Sequence, residues 1–215
     1  MNAHKEISFY PISDVVIIKD LFTEIFLIRT NKGFIAIDSG FHDAIIRKGL
    51  AYNNIQPDDV KAVFITHSDI DHQNAAEVFT KAHFYFPKKE IEMIANKIPR
   101  LSYFPFIRNS VRLKRYTTVD DNDSLWIDNL NVKCISLPGH TLGSMGYIID
   151  GKYLFSGDAF KIKNGKIAVP NLKLFVMDLN EMKKSMEKVC KLKGVQYIYT
   201  SHSGFTADFP SAISK

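Results

Sequence analysis

Thr66-His67-Ser68-Asp69-Ile70-Asp71-His72 crowds two histidines and two aspartates into one short stretch, directly behind the apolar run Val60 to Thr66. All four side chains are of the borderline or hard type that binds zinc, iron or manganese. On a regular strand residues 67, 69 and 71 would face one side and residue 72 the other, so the four could not share a point. A tight loop at a strand end lifts that restriction. The run Val60 to Thr66 reads as such a strand, buried and introduced by the turn Pro57-Asp58-Asp59. The same residues also suit a helix start, with Asp69 or Asp71 capping backbone N–H groups and the histidines as polar loop residues.

Working outward, the same arrangement recurs. His140 lies in Pro138-Gly139-His140-Thr141-Leu142-Gly143-Ser144 behind the run Val132 to Leu137, and its flanking glycines let backbone approach a bound ion or ligand. Asp158 closes Tyr153-Leu154-Phe155-Ser156-Gly157-Asp158, and His202 sits in Thr200-Ser201-His202-Ser203-Gly204 behind Val195 to Thr200. Singly, these read as a turn histidine, a cap and a surface residue. Together they repeat one pattern of strand, short glycine-containing loop, and histidine or aspartate.

The rest of the chain supplies a scaffold. Strands are expected at Val15 to Lys19, Glu24 to Arg29 and Phe34 to Asp38, then a helix from His42 to about Asn53. A short helix around Ala75-Ala76-Glu77, a strand at His83 to Phe86 and a helix opened by Pro87 follow. The second half repeats the style, with short strands near Arg115 to Thr118, Ser124 to Ile127, Val132 to Leu137, Met145 to Ile149 and Tyr153 to Phe155. A helix over Leu179 to Leu192 is stopped by Gly194, with Leu179, Met182, Met186, Val189 and Cys190 as its apolar side. Two meanders closed by helices suggest two facing sheets with helices outside.

With 215 residues, 46% apolar and 24% charged, one domain over residues 1–215 is expected. Cys134 and Cys190 form no metal knuckle or disulfide framework and read as buried thiols. No run reaches the ~20 apolar residues that span a bilayer, so a soluble, cytoplasmic protein is expected. The net charge of +5 is uneven: Lys97, Arg100, Arg108, Arg112, Lys114 and Arg115 share a segment without an acid, while Asp120, Asp121, Asp123 and Asp128 follow. That is either an anion-attracting surface or a solvated face.

Taken together, these motifs closely resemble the metallo-β-lactamase superfamily over nearly the whole chain. The resemblance implies an α/β fold, a four-layered αββα sandwich, and a dinuclear metal site. His67, His140 and the residue at position 69 would hold the first ion, Asp71, His72 and His202 the second, and Asp158 would bridge them. Asp38, in Ile37-Asp38-Ser39-Gly40, matches a position that supports the site from behind; a turn or cap is its simpler reading. Asp69 departs from the pattern, because the family places a second histidine there. Carboxylates bind zinc, so the subsite is not thereby lost. Three carboxylates against two divalent ions nevertheless leave one net positive charge, where the usual set leaves two. That shift disfavours ionisation of bound water and moves preference towards iron or manganese.

The resemblance implies a metal-dependent hydrolase in which a metal-bridging hydroxide attacks a thioester, lactone or related ester, with Asp71 and Asp158 closest to the chemistry. Two divalent ions are expected, zinc first and iron or manganese as alternatives. Asp69 also resembles a carboxylate of the diiron module of flavodiiron proteins, which opens a redox reading, although the flavodoxin-like domain of those proteins is missing from this chain. A non-enzymatic metal-dependent sensor or binding module is the third class. Residues 97 to 115 mix Tyr103, Phe104, Phe106 and Ile107 with Arg100 and Arg108, as would a flap over an anionic substrate with an apolar part. A homodimer contact or core packing is the next reading, and membrane and nucleic-acid partners are not expected. Phe9-Tyr10-Pro11 and Phe205 are candidates to line the site but read first as packing. His4, His42 and His83 are expected away from the metals.

Overall fold

The computed structural model describes residues 15–101, 106–170 and 175–214. Expectations for His4, Phe9-Tyr10-Pro11, Tyr103 and Phe104 lie outside those residues.

The chain opens as a meander, β1 (Val15–Asp20), β2 (Thr23–Thr30) and β3 (Gly33–Ile37), all antiparallel. Helix α1 (Asp43–Tyr52) then crosses over to β4 (Val60–Phe64), which lies parallel to β3. Helix α2 (Ile70–Gln73) and a 3-10 turn lead to β5 (His83–Pro87); helix α3 (Lys88–Ala95) and β6 (Thr117–Val119) follow, completing a six-stranded sheet in the order β1-β2-β3-β4-β5-β6.

A second six-stranded sheet contains β7 (Ser124–Ile127), β8 (Leu130–Ser136), β9 (Met145–Ile149), β10 (Tyr153–Phe155), β13 (Tyr197–Thr200) and β14 (Gly204–Thr206). A separate hairpin, β11 (Lys161–Lys163) and β12 (Lys166–Ala168), precedes helix α4 (Leu179–Val189), and α5 (Phe209–Ile213) closes the chain's described part.

Alternation along the strands decides the layers. Phe26, Ile28, Ile35, Ile37 and Phe64 of the first sheet meet Val132, Tyr147, Ile149, Phe155 and Tyr199 of the second in one buried cluster. Phe64 and Tyr147 have ring centres 5.2 Å apart across that interface, and Phe26 and Phe155 5.3 Å. The intervening residues Leu27, Ala36 and Val63 face outward onto Ile46 and Leu50 of α1, while Ile148, Leu154 and Ile198 face Val189 of α4 and Phe209 of α5. Both faces of each sheet are therefore buried, which is why the strands read as continuous apolar runs. The result is the expected αββα sandwich.

Local boundaries differ for identifiable reasons. The helix after β4 begins inside the histidine-aspartate stretch, at Ile70 rather than near Ala75. The strand expected from Arg115 starts at Thr117, and α4 stops at Val189 with Cys190 as its C-cap. Cys190 is consequently exposed, against the expectation of a buried thiol, whereas Cys134 is buried between the sheets. The hairpin β11–β12 was not anticipated, although Asn164-Gly165 at its turn, with φ of 51° and 74°, is the preferred two-residue hairpin connection.

Candidate metal centre

Strands β3, β4, β8, β10 and β13 all end along one edge of the sandwich, and their following loops carry the polar residues singled out in the sequence. Asp38 leaves β3 with φ of 60°, a left-handed conformation that a short polar side chain tolerates. Its carboxylate accepts from the Thr66 backbone N–H at 2.7 Å, Thr66 Oγ1 at 2.9 Å and His72 Nδ1 at 2.8 Å. Because an ionised carboxylate only accepts, His72 Nδ1 carries the proton and Nε2 is left with a lone pair. Thr66 Oγ1 gives its own hydrogen to Asp38, so it accepts from His67 Nδ1 at 3.0 Å and sets the same tautomer on His67. Asp38 thus orients both imidazoles.

The loop after β10 approaches this network closely. Gly157 has φ of 55°, and a Cβ there would lie 2.8 Å from Thr66 Oγ1, so glycine is what lets Asp158 reach the site. One Asp158 oxygen, Oδ2, lies 2.9 Å from His202 Nε2, 3.4 Å from His140 Nε2 and 3.9 Å from His67 Nε2; Oδ1 lies 3.5 Å from His72 Nε2. His202, behind β13, has Nδ1 bonded to the Phe22 carbonyl at 2.8 Å and its ring stacked on Phe22.

Two sets of donors result. In His67, His140 and Asp158, and in Asp71, His72 and His202, one ligand atom per residue lies within 4.8 Å of the others. His67 Nε2, His72 Nε2 and Asp158 Oδ1 are buried without a hydrogen-bond partner among the described residues. Buried polar atoms are rarely left so, and lone pairs converging from fixed tautomers suit cations. The residues present therefore fit divalent ions of the zinc type.

The electrostatics agree. Burial raises the Asp158 carboxyl, but the charges of His72 and His140 and the bond from His202 outweigh it and hold it well below the usual range. Burial raises Asp71 too, and His72 brings it down. Burial lowers the His72 imidazole, yet Asp71, Asp158 and Asp38 lift it well above its ordinary value. His202 follows the same balance, pulled down by burial and raised to about 9 by the bond and charge of Asp158. Burial lowers His140 overall despite Asp158. The carboxylates thus favour the charged imidazole at His72 and His202, while at His140 burial wins.

Asp69 behaves differently from its neighbours. It stands at the N-cap of α2 but makes no capping bond, so the capping reading fails for it. Its Oδ2 is 3.0 Å from His140 Nε2 and 3.5 Å from His67 Nε2, beside the first donor set. Both oxygens are held by Arg100, with Nε donating to Oδ1 and Nη2 to Oδ2, each at 2.7 Å. Asn109 Nδ2 also donates to Oδ1 at 2.7 Å. Burial raises the Asp69 carboxyl, and the His140, His67 and Arg100 side chains beside it more than reverse that.

Reading residue by residue had missed Glu90, Asp20 and Gln73, and had treated Arg100 only as one cation of a basic segment. Glu90 is fully buried and accepts from Ser68 N–H at 2.8 Å, Ser68 Oγ, Thr141 Oγ1 and Gly143 N–H at 3.1 Å, joining the two histidine loops. Asp20 accepts from the N–H groups of Phe41 and His42, each at 2.6 Å, and pairs with His42 Nδ1, which removes His42 from the centre. His83 bonds Thr117 at the surface. Gln73 bonds the Ser110 carbonyl and the Arg112 N–H, pinning residues 109 to 112 over the site.

That pinned segment forms one wall of a cleft of about 910 Å³, with Ile107, Phe160, Phe175, Arg108 and Asp71 among its lining residues. Val111, Leu113 and Tyr116 pack on the core, so the segment both lines the cleft and anchors itself. Phe205 stacks on Tyr199 in the inter-sheet core, as its packing reading has it.

Comparison with known proteins places this arrangement. The family model described as the metallo-beta-lactamase superfamily matches residues 18–202, which include all seven candidate ligands and end on the last, His202. The chain belongs to that superfamily. A probable metallo-hydrolase of Methanocaldococcus jannaschii is 30% identical over 79% of this chain and 71% of its own length. The hydroxyacylglutathione hydrolase of Vibrio cholerae is 29% identical over 77% of this chain and 56% of its own length. A probable polyketide biosynthesis zinc-dependent hydrolase of Bacillus subtilis is 34% identical over 46% of this chain. This last match spans only 39% of the relative's length. Among solved structures, a B3 metallo-β-lactamase with an active-site glutamic acid superposes with a TM-score of 0.71 at 17% identity, over 93% of this chain and 82% of that one. The fold is therefore that of the superfamily, and no helix among the described residues is long and apolar enough to cross a membrane.

Proposed function

We propose that this metallo-β-lactamase-fold chain is a metal-dependent hydrolase of thioesters, lactones or related esters. The observation that carries the reading is the convergence of His67 Nε2, His72 Nε2 and Asp158 Oδ1, buried and unpartnered among the described residues, beside a cleft that Asp71, His140, Asp158 and His202 line. His67, His140 and Asp158, with Asp69 beside them, would hold one ion; Asp71, His72 and His202 would hold a second. Bound there, zinc-type ions supply Lewis acidity and make water acidic enough to act as a nucleophile near neutral pH. The protein's own residues do the rest. Asp38 and Thr66 keep the imidazole lone pairs pointed at the ions, and Asp158 ties the two halves together. Asp71, on the cleft wall, receives the proton released when water attacks. Phe160, Phe175 and Ile107 offer apolar surface to an acyl chain, while Arg108 offers charge to an anionic group.

Two relatives point the same way: one is named for a thioester-cleaving reaction and one as zinc-dependent. The diiron redox reading requires Asp69 as a free ligand, and that carboxylate is engaged by Arg100. Purified protein should hydrolyse members of an acyl-thioester and lactone panel. Activity should vanish after chelation and dialysis and return on adding zinc, manganese or ferrous iron. Chelator-resistant turnover, or no turnover of any panel member by metal-loaded protein, would reject the assignment.

A further inference from the structure

Asp69 replaces a neutral histidine of the family pattern with an anion, and the structure supplies that anion with its own cation. Arg100 reaches it from the segment after α3 and is only 4% exposed. The two make a fork of parallel bonds, Nε to Oδ1 and Nη2 to Oδ2, both 2.7 Å. The same Nη2 lies 2.9 Å from His140 Nε2 and 3.0 Å from the Phe175 carbonyl. The guanidinium is thus built in directly against the first donor set.

We propose that Asp69 and Arg100 act as one electrically neutral unit where the family has a neutral histidine, and that Arg100 is a positioning residue of the metal centre. The proposal rests on the metal-dependent reading above. With Arg100 counted, the charge at the paired sites returns to that of the usual histidine set, because the guanidinium cancels the extra carboxylate. The fork also engages both Asp69 oxygens, so the first ion depends chiefly on His67, His140 and Asp158. Neither member of the unit can be exchanged alone. Histidine at 69 with Arg100 retained leaves a buried, unpaired guanidinium facing cations, which repels the first ion. Loss of Arg100 alone frees the Asp69 carboxylate to turn to that ion and strengthens its binding.

The test is zinc affinity of the metal-stripped protein, by calorimetry and competition with a chromophoric chelator, for wild type, Asp69→His, Arg100→Met and Asp69→His/Arg100→Met. Thermal melts establish that each variant is folded. Asp69→His should bind its weaker zinc at least about tenfold less tightly, and adding Arg100→Met should bring the affinity back to within about threefold of wild type. Arg100→Met alone should bind the weaker zinc more tightly than wild type. Wild-type affinity in Asp69→His, unchanged by the second substitution, would overturn the proposal. If Asp69→His does not fold, unaltered zinc affinity in Arg100→Met would overturn it equally. Wild-type protein that binds no zinc would instead reject the underlying metal-dependent reading, so the two failures are distinguishable.

Discussion

Replacing Glu90 with alanine should lower the free energy of unfolding by about 3 to 5 kcal/mol, because it strands buried donors on two loops at once. Glu90 is 0% exposed and accepts from Ser68 N–H, Ser68 Oγ, Thr141 Oγ1 and Gly143 N–H. The hydroxyls can turn elsewhere, as Thr141 Oγ1 already has Ser144 Oγ at 2.7 Å, but the two backbone N–H groups cannot. The fit is close, since a Cβ on Gly143 would lie 2.3 Å from the Glu90 nitrogen. Ser68 follows His67 and Thr141 follows His140, so the same substitution should loosen the first metal subsite. Urea unfolding of metal-stripped protein checks the stability term without the contribution of bound ions. A loss below about 1 kcal/mol would show that the loops hold their positions without this carboxylate.

The largest effect on activity is expected at Asp158. Its two oxygens face both donor sets, so Asp158→Asn removes one negative charge from the shared point while keeping the shape. Removing a supporting partner of a metal ligand typically costs 10–100-fold, and loss of this shared carboxylate should cost more, on the order of a thousandfold in kcat/KM. Asp38→Asn, which acts through His72 and Thr66, should fall in the smaller range. An Asp158→Asn enzyme within tenfold of wild type would remove Asp158 from its proposed place.

Much of this architecture was legible because each signal is local. Val60 to Phe64, followed at once by His67 and Asp71, shows a strand ending where polar ligands begin, and His140, Asp158 and His202 repeat the pattern. The αββα layering was readable from strands such as Phe26 to Ile28 and Tyr147 to Ile149, apolar on both faces. What escaped was set by tertiary contact. Glu90, between Lys89 and Ile91 on α3, looks like any exposed helical acid until the His140 loop folds onto it. Arg100 carried a usable signal: a carboxylate in a histidine's place calls for a compensating cation, and it lies in a segment with no acid of its own. The three-residue strands around Asn164-Gly165 were too short to register by periodicity, though the turn itself was informative.

Anomalous diffraction from crystals of metal-loaded protein tests the central claim most directly. The account predicts one peak about 2.0–2.2 Å from His67 Nε2, His140 Nε2 and an Asp158 oxygen, and a second at similar distances from Asp71, His72 Nε2 and His202 Nε2. Metal peaks confined to other parts of the surface, with the Nε2 atoms of His67 and His72 left unligated, would contradict it.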